Sequence, residues 1–151
     1  MTMPFVLQPG EGETVQIKTS RCSFKATGSD THNHMGLFEL TMETEEAGAS
    51  LHVHKQMTEM FYVVEGEVNL TTGDQTVKGT PGTFVLVPEN TPHGFSNASA
   101  ERAKLLILFC PTDHREDYFR GLAELTKDGR LASEEEMLDL MHRFDQYMVD
   151  E

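Results

Sequence analysis

Two histidines one residue apart, His52 and His54, are followed five positions later by Glu59 in the stretch LHVHKQMTEMFYVVEG, residues 51–66. In a strand, successive side chains alternate faces, so both imidazoles project to one side. Glu59 then leads a face that Phe61 and Val63 continue. A carboxylate at the head of an apolar inward face is costly to bury unless it is paired or bound to a cation. Two imidazoles and a carboxylate converging on one interior meet that condition, because a divalent metal takes neutral nitrogen and anionic oxygen ligands. His93 is a further candidate: it follows the polar turn ENTP and opens the next run, in phase with Phe95. Alone, it would read as a satisfied core histidine, the commoner fate of a lone His, but it is not alone if the sheet is rolled up. A second histidine pair, His32 and His34, lies in TGSDTHNHMG, a composition that marks a loop. No acidic residue stands at a matching offset there, and the most it offers is a flap whose His32 or His34 touches a substrate.

The elements that must position these residues are β in the first two-thirds of the chain. Runs rich in β-branched and aromatic residues occur at 14–17, 22–27, 36–43, 50–54, 60–72, 75–79, 83–88, 93–98 and 104–110. Gly73-Asp74 supplies a hairpin signal and Pro81-Gly82 another turn. Many short, closely spaced strands predict a sandwich or barrel. An apolar interior of Met42, Phe61, Val63, Phe84, Leu86, Phe95 and Leu106 follows from this reading. After residue 111 the period changes. Tyr118, Phe119, Leu122 and Leu125 recur at helical spacing, with Asp113 and Glu116 as a cap pair and Gly129 as the stop. Ser133 and Glu136 form a capping box for a second helix, whose apolar face is Met137, Leu140, Met141, Phe144 and Met148. His114 and His142 fall in this region and read as surface residues. The expected layout is one domain: β-barrel over 1–111, with helices over 112–151 packed on it.

A chain of 151 residues can bury one core without staples. Its net charge of −13, from 12 basic and 25 acidic residues, repels nucleic-acid phosphates and anionic lipid, so neither nucleic acid nor membrane is an expected partner. No apolar run approaches the roughly 18 residues that span a bilayer. The N-terminal stretch has no basic region followed by an apolar one, which predicts no secretory signal and a cytoplasmic protein. Cys22 and Cys110 match no zinc spacing and read as reduced structural thiols.

At this point the chain resembles the cupin superfamily. The first cupin motif is Gly, five residues, H-x-H, three or four residues, Glu, six residues, Gly; His52, His54, Glu59 and Gly66 match it from the first histidine onward. The second is Gly, five residues, Pro, any, Gly, two residues, His, three residues, Asn; Gly82, Pro88, His93 and Asn97 match it. Two positions depart: Glu46 stands where a glycine is expected, with Gly48 nearby, and Asn90 replaces another. Asn tolerates positive φ better than other non-glycine residues, so the turn before His93 can survive. The resemblance implies a mainly β fold, the cupin double-stranded β-helix or jelly-roll barrel with core motifs at 46–97, followed here by two C-terminal α-helices. It implies His52, His54, Glu59 and His93 as metal ligands. The metal would be Fe, Mn, Ni, Cu or Zn, since thiolate-free N/O ligation admits all of them. The plan looks like that of small quercetin-dioxygenase-like cupins. That implies a dioxygenase acting on a small hydroxylated aromatic or enol-type compound, with Glu59 as both ligand and catalytic base. A metal-assisted isomerase, decarboxylase or lyase is the alternative, as is a binding module without turnover. Cupins commonly pair through exposed strands, which predicts a homodimer.

Overall fold

A computed structural model describes residues 3–149; residues 1–2 and 150–151, at the ends of the expected domain, lie outside the described residues. The strands are β1 (Thr14–Ile17), β2 (Ser20–Ala26), β3 (Gly36–Met42), β4 (Glu46–Val53), β5 (Thr58–Glu65), β6 (Val68–Thr72), β7 (Gln75–Gly79), β8 (Phe84–Val87), β9 (His93–Asn97), β10 (Ala103–Cys110) and β11 (Tyr147–Met148). The helices are α1 (Gly28–Thr31), α2 (Arg115–Leu125) and α3 (Glu134–Arg143), with a short 3-10 turn at Lys127–Gly129. One antiparallel sheet runs β1-β2-β3-β10-β5-β8 and the other β11-β4-β9-β6-β7. The two sheets close over an apolar interior, the mainly β jelly-roll architecture with C-terminal helices that the sequence predicts. No described helix is long and apolar enough to cross a membrane.

Strict alternation builds this interior. In β10, Ala103, Leu105, Ile107 and Phe109 are buried while the residues between them are half-buried. In β5, Glu59, Phe61 and Val63 point inward, as their phase predicts, and Tyr62 and Val64 are exposed. Three of the residues expected inside therefore fall outside. Phe84 lies opposite Tyr62 and Leu86 opposite Met60, and directly opposed residues of an antiparallel pair share a face. Both are consequently exposed, at 56% and 50%. Leu106 also faces Tyr62, across the other edge of β5, and is half-buried on the outer side. Val87, Leu105 and Ile107 take the inner positions in their place. Met42, Phe61 and Val63 are core residues as expected, and Phe95 packs against them.

The run expected at 60–72 is two strands, broken at Gly66. That glycine has φ +74°, and a Cβ there would stand 2.2 Å from the Arg102 carbonyl oxygen. Asn90 adopts φ +59°, so the left-handed turn before His93 survives its departure from glycine. Cys22 and Cys110 are both free thiols.

The C-terminal helices form, with two corrections. Asp113 and Glu116 do not cap α2: its N-cap is His114, in a left-handed conformation without a side-chain cap bond. The Glu116 carboxylate is buried and instead accepts from the Gly28 and Ser29 amides at 2.9 and 3.3 Å, serving the start of α1. Ser133 and Glu136 do form the expected capping box on α3. That helix stops at Arg143, so Met148 belongs to β11 and not to its apolar face. Asp145, with φ +53°, turns the chain back onto the barrel, where Tyr147 and Met148 pair with Val53 and His52.

Gly66→Ala meets both a forbidden φ and a backbone contact. It should destabilise the protein by about 2 kcal/mol, seen as a fall in melting temperature of roughly 4–8 °C. An unchanged melting curve would contradict the close packing of this turn.

Candidate metal centre

The structure brings His52, His54, Glu59 and His93 together from three strands and their flanks. His52 is in β4 and His54 just beyond it, Glu59 leads β5, and His93 opens β9 directly opposite His52. All four are buried, none more than 3% exposed. One potential ligand atom from each lies within 4.8 Å of the others. Ligands on opposite sides of an ion with bonds of about 2.0–2.2 Å stand roughly 4 Å apart, so the group needs little adjustment to close on a metal.

The hydrogen bonds fix which atoms face inward. His52 Nδ1 lies 2.6 Å from the Ser50 carbonyl, His54 Nδ1 2.6 Å from the Asp145 carbonyl, and His93 Nδ1 2.8 Å from the Thr91 carbonyl. A carbonyl only accepts, so each Nδ1 must donate, and in the neutral ring each Nε2 is left with a lone pair. Two of those nitrogens nonetheless approach one carboxylate oxygen: Glu59 Oε1 is 2.9 Å from His54 Nε2 and 2.7 Å from His93 Nε2. Acceptors cannot meet at such distances without a proton or a cation between them. The donor set therefore fits a divalent transition metal held by three nitrogens and one oxygen, with outer hydrogen bonds orienting each imidazole.

Electrostatics agrees. Burial pushes the Glu59 carboxyl up, but hydrogen bonds from His54 and His93 outweigh this and hold it well below the usual range. Burial, with His93 beside it, lowers His52 to about 3. Burial works against protonating His93 as well, yet there the bond to Glu59 prevails and raises its pKa above 6.5. His52 is thus held in its neutral form, whereas Glu59 favours the protonated form of His93.

The remaining motif residues shape turns. Asn97 donates to the Thr44 and Glu101 carbonyls at 3.1 and 2.8 Å and so ties the ends of two loops. A Cβ on Gly48 would meet the Phe95 carbonyl oxygen at 2.5 Å, so this residue supplies the close approach that Glu46 cannot. His32 and His34 are exposed and neither lines the cavity beside the cluster.

That cavity, about 350 Å3, contains His52 and Glu59 on one side and Arg115, Tyr118 and Gln146 on another. Sequence reasoning missed these last three as site residues. A signal existed for Arg115, which falls in phase with Phe119 and Leu122 on the apolar stripe of α2, an unusual place for a charge. Nothing local announces Asp145. Its carbonyl orients His54, and its carboxylate accepts from the Lys55 and Gln56 amides at 2.9 and 2.8 Å.

Metal binding to metal-free protein should release protons, because His93 must lose its raised proton to ligate. Affinity should then rise as pH climbs through the His93 pKa and fall below it. Calorimetric titration in two buffers of different ionisation enthalpy reads that release; identical heats would contradict it. Glu59→Gln should lower metal content, measured by elemental analysis, and unchanged stoichiometry would remove Glu59 from the ligand set.

Residues 38–109 match the family model described as a cupin domain. Over 124 residues the chain is 28% identical to quercetin 2,3-dioxygenase of Bacillus subtilis (strain 168), covering 81% of this chain but only 35% of that relative's length. Among solved structures it is similar to a predicted oxalate decarboxylase from Thermotoga maritima. There the TM-score is 0.65 at 15% identity, over 71% of this chain and 99% of the other. It is also similar to a polyketide cyclase from Streptomyces resistomycificus, with a TM-score of 0.62 at 19% identity over 72% and 80% of the two chains. The two spaced motifs, the two-sheet barrel and the buried His-His-Glu-His cluster agree with that match: residues 38–109 are a cupin domain, and the chain is similar to quercetin dioxygenase.

Proposed function

We propose that this cupin is a metal-dependent dioxygenase acting on a small hydroxylated aromatic or enol-type compound held in the barrel. The observation that carries this reading is the position of the four-residue cluster at the wall of an open, largely apolar cavity. Phe95, Ile107, Phe109, Phe119 and Leu122 supply apolar walls suited to a planar carbon skeleton. Four protein ligands leave one or two coordination positions open, and a metal there would polarise a substrate oxygen and, if redox-active, support oxygen chemistry. His52 and Glu59 are the cluster members that line the cavity, so a substrate approaches from their side. The Glu59 carboxylate is then the group placed to take the substrate's hydroxyl proton. The surrounding wall excludes water and holds the ring against the cluster.

The similarity to a quercetin dioxygenase supports oxygen chemistry. The likeness to proteins named as a decarboxylase and a cyclase supports a second reading, metal-assisted rearrangement or bond cleavage without oxygen. An oxygen electrode separates them. With candidate flavonols, catechols and enediols, the first reading expects oxygen uptake matched to product, abolished by chelation and lowered at least 100-fold in folded His93→Ala. Product formation without oxygen uptake would favour the second. Ligand binding with no product for any substrate would leave a binding protein.

A further inference from the structure

Arg115 is the first residue of α2 and only 2% exposed. Among the described residues it donates from Nη1 to the Phe144 carbonyl and from Nη2 to Gln146 Oε1, while its Nε has no acceptor. No described carboxylate stands within ion-pair distance of it. Its guanidinium lies instead over two rings, 3.9 Å from the centroid of Tyr118 and 4.9 Å from that of Phe109. A guanidinium stays charged in proteins, so this is a buried cation with a spare donor and no direct ion-pair partner, on which Glu59, Asp145 and Asp113 act only through space. Such a group is expensive unless something else neutralises it.

The cavity indicates what that is. Arg115 lines the same space as His52 and Glu59, and Phe109 links the two regions, its ring 6.0 Å from that of His54. The other charged lining residues, Lys18, Glu46 and Arg130, are exposed or half-buried at the rim. With a divalent ion in the cluster, the cavity lining holds that ion and the guanidinium against one buried carboxylate, Glu59, while Asp145 and Asp113 act on Arg115 from beyond ion-pair distance. The surplus is positive, and it is divided between two places. A ligand that balances both carries one anionic oxygen for the metal and a second anionic group for Arg115.

We propose that Arg115 binds a carboxylate of the substrate, so that the compound taken up is an aromatic or enolic acid. This rests on the metal-dependent reading above. The acid lies across Phe109, with its phenolic or enolic oxygen toward the cluster and its carboxylate on the guanidinium, where Nε and an Nη present the paired donors that a planar carboxylate accepts. A neutral flavonol would leave the Arg115 charge unbalanced.

Salicylate and its neutral amide, salicylamide, share a ring and a phenolic oxygen and differ in this charge. Calorimetric titration of metal-loaded wild type should show salicylate binding at least tenfold more tightly. Arg115→Gln should weaken salicylate at least tenfold and salicylamide less than twofold, the two proteins being compared at equal metal content. Should that variant fail to fold, Arg115→Lys retains the charge but not the planar fork, and it should narrow the preference for the acid by severalfold. If wild type does not favour salicylate, or if both ligands weaken equally in a folded variant, the proposal is overturned and Arg115 only clamps the C-terminal segment. Elemental analysis of the wild type tests the metal reading separately, and the same ligand comparison on metal-free protein reads the Arg115 preference if no metal is found.

Discussion

Everything in this molecule is arranged around one buried carboxylate. Glu59 sits at the head of an apolar face, 3% exposed, with two imidazole nitrogens on one of its oxygens. An isolated carboxylate at such depth would neutralise itself by taking a proton. Here its surroundings keep it ionised, and that requirement propagates outward. The imidazoles must be held with one edge toward the carboxylate, and three backbone carbonyls hold them. Those carbonyls must in turn be fixed, by the loop ends of β4 and β9 and by the turn at Asp145.

The helices beyond the barrel are therefore part of the site and not an appendage to it. α2 brings Arg115 and Tyr118 to the cavity wall, and the segment after α3 supplies the hydrogen-bond partner of His54. Arg115 grips that same segment through the Phe144 carbonyl and Gln146. One arginine thus couples the far wall of the cavity to the orientation of a cluster histidine.

Much of this was legible in the sequence, and the division has a physical basis. Period-two alternation placed His52, His54, Glu59, Phe61 and Val63 on one face, and the motif spacing joined His93 to them. Phase alone failed for Phe84, Leu86 and Leu106, where apolar residues occupy both faces of a strand and only register against β5 decides which is inside. The capping box of α3 is a local signal and was readable, whereas Glu116, an apparent cap residue, is claimed by amides nearly ninety positions earlier in the chain. Asp145 was invisible for the same reason, and Arg115 showed only as a charge on an apolar stripe: their partners are set by tertiary contact, not by neighbours in the sequence.

The bond between His54 and the Asp145 carbonyl also imposes an order in time. The histidine and its partner are separated by 91 positions, and a ribosome delivers the chain from the N-terminus. The barrel strands, with all four cluster residues, leave the exit tunnel well before the turn that aligns His54. Until that turn is made, His54 lacks the carbonyl that orients it and the cavity lacks Gln146 from its lining. The centre is therefore finished only when the segment after α3 has been made and has folded back onto β4.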